Sequence, residues 1–70
     1  MSNRLYYLNQ IYESILHSDL TDKEKNRQFA RLMTDMEREF NIPILRNEQW
    51  EKQNKAVVAL YRKISMSRTL

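Results

Sequence analysis

Glycine is absent from all 70 residues, and proline occurs once, at Pro43. Those two facts narrow the fold more than any other feature. Tight hairpins, positive-φ helix ends and backbone cradles for phosphate lean on glycine, which enters the left-handed region without a Cβ clash. A chain lacking it has few routes to a two-residue β-turn or a nucleotide-binding loop. Helices joined by short polar links suit it far better.

The helical period is clearest between Thr21 and Phe40. Phe29, Leu32, Met33, Met36 and Phe40 recur at spacings of three and four, which places them on one face of a helix. Thr21 precedes this run with Glu24 three residues later, the pattern of a capping box. Asp22 and Glu24 also suit the positive end of the helix dipole. Asp22 to Gln28 contains no apolar residue, so this helix starts polar and becomes amphipathic only at Phe29. Arg31 and Asp35 are spaced to pair on its outer face. Pro43 disfavours helical geometry at Ile42, so the helix should stop at Phe40 or Asn41.

Two further helices flank this one. Leu5, Leu8, Ile11, Tyr12, Ile15 and Leu16 follow the period of a first helix capped by Ser2 or Asn3, with Tyr6 and Tyr7 at the flank of the stripe. Asn47 is positioned to cap a third helix, whose first turn carries Glu48 and Glu51. Trp50, Val57, Tyr61 and Ile64 form its apolar seam, interrupted by Asn54, which reads either as a boundary residue reaching water or as a polar residue fixing a helix pairing. Glu48–Lys52 and Glu51–Lys55 have ion-pair spacing, and Ser65 to Leu70 are expected to fray. The fold class is therefore all-α: three antiparallel helices over about 3–17, 22–40 and 48–65 in one small bundle.

A chain this short buries only about 60% of the surface it exposes when unfolded, so small domains are usually reinforced by disulfides, a metal or a partner subunit. Cysteine is absent and histidine occurs once, which excludes disulfides and argues against zinc. Completion of the bundle by dimerisation is the remaining device. No run approaches the roughly 20 apolar residues of a membrane span, and the opening residues lack the apolar core of a signal peptide. The expected location is the cytoplasm.

Chemistry is sparsely represented. Glu13 lies one turn before His17, the only histidine, with Ser14 and Ser18 nearby, but three short helices offer such a group neither an oxyanion hole nor a pocket. Asp35, Glu37 and Glu39 lie among arginines and lack the inward Glu-x-x-His pattern of di-metal bundles. No catalytic residue, metal, cofactor or small-molecule substrate is expected.

Charge is unevenly spread over the net +3. Residues 42–70 hold six bases and two acids, whereas the preceding segments are close to neutral. Lys52, Lys55, Arg62 and Lys63 form a candidate contact for phosphates or an acidic partner, the basis of an alternative reading as a nucleic-acid-associated regulator. Against that alternative, the link ahead of the third helix is apolar and centred on proline, unlike a helix-turn-helix turn, and the helix begins with two glutamates.

That link, Asn41 to Arg46, is the stronger candidate because Ile42, Ile44 and Leu45 are large and apolar where a solvated loop would be polar. A first helix of about 22 Å beside a second of about 28 Å should fall short of Met36 and Phe40. The returning third helix should set Trp50 against Phe40 and Val57 against Met33. Met36, Phe40, Ile42, Ile44, Leu45 and Trp50 then gather at an end covered by two helices only. Either the link closes over that end or the end is an interface for a protein partner or a second copy.

Overall fold

The computed structural model describes residues 3–68. Every regular element in it is helical: α1 (Asn3–Leu16), α2 (Asp22–Phe40), α3 (Glu48–Gln53) and α4 (Lys55–Ser67). The expected cap at Ser2 lies outside the described residues.

One apolar core joins α1, α2 and α4. Leu8, Tyr12 and Ile15 enter it from α1, Phe29, Leu32, Met33 and Met36 from α2, and Val57, Leu60 and Ile64 from α4. Each set repeats at helical spacing, so the stripes that marked the helices also build the core. Phe29, Leu8, Met36 and Ile64 are the largest fully buried side chains. Phe29 and Tyr12 pack as tilted rings with centroids 5.6 Å apart, a favourable aromatic arrangement.

The ends of α2 are set by side-chain chemistry. Thr21 Oγ1 accepts the Glu24 amide at 3.2 Å, a cap that stabilises by about 1 kcal/mol. The reciprocal half of the capping box is replaced: the Glu24 carboxylate lies 3.5 Å from Arg27. At the other end Asn41 adopts φ 54°, ψ 47°. The amides of Asn41 and Ile42 both donate to the Glu37 carbonyl, satisfying a helix-end group through the left-handed geometry that usually recruits glycine. Asparagine tolerates that region better than other residues with a Cβ. Asn41→Gly is therefore expected to preserve or raise the urea midpoint, while Asn41→Ala lowers stability by about 1 kcal/mol. Unchanged midpoints in both variants would show that this helix end does not depend on the left-handed residue.

The expected third helix is divided at Asn54. Its backbone (φ −132°, ψ 45°) leaves the helical region, and its amide bonds to the Glu51 carbonyl at 3.2 Å. The Trp50 carbonyl would otherwise lose its partner four residues on. The Asn54 side-chain amide fills that role, donating to it at 2.8 Å. Asn54 is thus the residue that turns the chain between two helices, a case of a side chain inserting into the helical ladder. It sits half-buried at the boundary, and its side chain serves the break between the two helices.

One expected register shifts as a consequence. Val57 does not face Met33. The Tyr61 hydroxyl donates to Glu37, and Arg68 Nη1 approaches Met33 Sδ at 3.5 Å. The link and α3 use up chain before α4 begins, so α4 meets α2 later in the sequence than a continuous helix would. The end of α4 is held rather than frayed as far as Arg68: Ser67 Oγ and Tyr12 Oη lie 2.6 Å apart.

The first helix also reaches further than its length implied. Lys25 Nζ donates to the Leu16 carbonyl at 3.1 Å, so the start of α2 overhangs the end of α1. That offset carries the beginning of α1 to the far end of α2, where Arg4 Nε meets Glu39 Oε2 at 2.5 Å.

Candidate functional site

The six residues expected to form one exposed patch separate into three environments. Met36 is enclosed completely (0% exposed) and belongs to the core, because α1 reaches it and α4 covers it. Phe40, Ile42 and Trp50 are half-buried and pack against the core edge. Ile44 (101%) and Leu45 (80%) stand in solvent. The link is therefore split: Ile42 folds back against the core edge, and its two neighbours beyond Pro43 project outward.

The placement follows from local geometry. The left-handed turn at Asn41 reverses the chain away from the α2 axis. Asn47 Oδ1 then accepts the Trp50 amide at 2.9 Å and starts α3. Between these two anchors Ile44 and Leu45 occupy the crest of the connection. Among the helices, α3 lies close to α4 alone and contributes no fully buried side chain.

An open groove of about 210 Å³ lies beneath the crest. Ile42, Pro43, Ile44 and Leu45 of the link line it together with Trp50, Val58 and Tyr61, and Arg46, Glu51 and Arg62 also belong to its lining. Glu51 lies 3.0 Å from Arg62 and 3.8 Å from Arg46. The Asn54 turn breaks the expected Glu51–Lys55 spacing, which frees this carboxylate for the two arginines.

The candidate basic stripe is divided as well. Lys52, Lys55 and Arg62 line one shallow surface with Arg46, Glu48 and Glu51. Lys63 faces α1 instead: its Nζ donates to Asn9 Oδ1 at 3.1 Å and lies 5.2 Å from the centre of the Tyr12 ring. It ties α4 to α1 and does not extend the stripe.

Tyr61 links the groove to the core edge. Burial, and then the Glu37 carboxylate that accepts a hydrogen bond from its hydroxyl, push its pKa from 10.0 up to about 12, with nearby Arg68 opposing the shift. The folded protein therefore holds this proton more tightly than the unfolded chain. The resulting stabilisation is fully present below pH about 10 and is lost as pH rises towards about 12. Tyr61→Phe should flatten this part of the stability profile, measured by urea unfolding of both proteins across that range. Parallel profiles would show that Tyr61 does not contribute to it.

Other surface groups are engaged with one another. A larger open groove, about 520 Å³, runs between α1 and α2. Its border mixes Arg4, Arg27 and Arg31 with Glu24 and Asp35, and Arg4 and Arg27 are paired with glutamates. The expected Arg31–Asp35 pair does not form among the described residues. His17 Nε2 lies 3.2 Å from Glu13 Oε1 with both side chains exposed. Among the described residues no three His, Asp or Glu side chains gather to hold a metal ion, and no helix is long and apolar enough to cross a membrane.

Sequence reasoning missed Val58 and Tyr61 as lining of the link groove. The seam position of Tyr61 signalled core packing, and the structure places both residues in the lining of the groove. No family model matches the sequence, no curated protein matches it, and no solved structure matches the fold.

Proposed function

We propose that this chain is a small non-enzymatic binding module that docks a protein through the link between α2 and α3. One observation carries the reading: Ile44 and Leu45 are adjacent, large and almost wholly exposed, in a chain whose core is closed without them. Burying such a side chain is worth about 1.5–3 kcal/mol, so a pair left in water on a structured crest favours association. The half-buried Trp50 at the groove adds an aromatic residue of the kind enriched at interface centres. A regulatory role through such docking fits a domain of this size, and the cytoplasm is the proposed setting.

The alternative, nucleic-acid binding through Lys52, Lys55 and Arg62, has less support. Arg62 is engaged with Glu51, Glu48 and Glu51 share the same surface, and Lys63 points elsewhere. It would require salt-sensitive binding to duplex that weakens in Lys52→Glu and Lys55→Glu.

The docking reading is tested by sedimentation of the purified chain together with capture from its native cell, with crosslinks mapped by residue. A protein or second copy joined at residues 42–50 supports it. A strictly monomeric chain with no protein crosslinked there contradicts it.

A further inference from the structure

We propose that the Ile44–Leu45 surface takes an acidic segment of another protein, anchored by apolar side chains. This rests on the link being a docking surface and adds the chemistry of what docks.

The charge around the groove supports that choice. Arg46 and Arg62 border it, Arg38 lies beside Ile44 on the opposite flank, and Lys52 and Lys55 continue from Arg46 along α3 and α4. Three acids face this group. Glu37 accepts the Tyr61 hydroxyl, and Glu48 lies beyond Arg46 on the same surface. Glu51 is the third and must serve two guanidinium groups, Arg46 and Arg62. Five cations against three carboxylates leave a positive excess beside two exposed apolar side chains. Arginine suits the task because its planar fork binds carboxylates in a fixed geometry.

A second copy fits this surface poorly. A two-fold contact would bring the same patch of both chains together, setting Arg46 and Arg62 against their own equivalents. A nucleic acid would satisfy the cations and leave Ile44 and Leu45 in water. An acidic segment with leucine-like anchors satisfies both features, the anchors entering the groove and the carboxylates meeting its border.

The test uses the full chain, isotope-labelled for amide NMR, and two synthetic amphipathic peptides. Both carry leucines at the same positions, with glutamate at the polar positions of one and lysine in the other. The glutamate peptide should shift the amides of Ile42, of residues 44–47 and of residues 58–65, and should bind at least about tenfold more tightly than the lysine peptide, with affinity falling as salt rises. Arg46→Gln with Arg62→Gln should remove most of that preference while leaving the chain folded, since both side chains are exposed and no new charge is set against Glu51. Equal binding of both peptides at these residues would overturn the acidic assignment and leave the docking surface standing. Shifts that grow with protein concentration alone would assign the surface to a second copy. Duplex-induced shifts confined to Lys52 and Lys55 would assign the cations to nucleic acid. Each of these two results overturns the proposal. No perturbation of residues 42–47 by either peptide, with no protein crosslinked there in the cell, would remove the proposal and the docking surface together.

Discussion

Phe29→Ala is expected to remove a large part of the chain's stability. Phe29 is almost completely buried and stacks on Tyr12, so it holds α1 and α2 together within the core shared with α4. Truncating a buried phenylalanine costs about 3–5 kcal/mol through lost transfer energy and the cavity left behind. At about 0.05–0.15 kcal/mol per residue, a domain of this length has roughly 3.5–10 kcal/mol in all. A urea midpoint lowered by about a third or more of its value, up to outright loss of helical circular dichroism, is the expected result. Met36→Ala should follow the same course at about 2–5 kcal/mol, because Met36 is in the core. Full stability in both variants would mean that the core is not organised around α2.

Replacing Ile44 and Leu45 together by aspartate is expected to have the opposite signature. Neither side chain takes part in the core, and exposed substitutions of this kind usually change stability by less than about 0.5 kcal/mol. Thermal unfolding should be unchanged, and the reduced apolar exposure should improve solubility. Association should be lost. Two buried anchors are worth several kcal/mol of transfer energy, and charged groups placed in a desolvated contact add a further penalty. The expected loss of affinity is at least about a hundredfold, since each 1.4 kcal/mol is a factor of ten. A large drop in melting temperature would show instead that the link closes the fold.

The contrast between these two experiments reflects what could be read in advance. Apolar residues at spacings of three and four located α1 and α2, and Thr21, Asn47 and Pro43 marked ends that the structure places within a residue or two. Such signals are local: each depends on side chains within one or two turns. Asn54 was visible as an interruption, but its effect was not, because an asparagine on a seam can face water, pair with a helix or replace a backbone donor. Only the bond to the Trp50 carbonyl distinguishes these. Once the chain turns there, the register of α4 against α2 moves, Tyr61 meets Glu37, and Lys63 swings towards α1. The separation of Met36 from Ile44 and Leu45 arises instead from the reach of α1 and the turn at Asn41. Periodicity assigns a residue to a face, but which neighbour covers that face depends on offsets between helices. Those offsets were set here by the overhang at Lys25 and the detour through α3.

The central claim is that Ile44 and Leu45 form a docking surface on a fold complete without them. Its most direct test is a photo-crosslinking residue placed at position 44 in the native cell, compared with the same residue at Ser14, an exposed position on α1. A discrete protein adduct from position 44, absent from position 14 and lost when Leu45 is replaced by aspartate, is the predicted result. No adduct from position 44, or the same adducts from both positions, would contradict it.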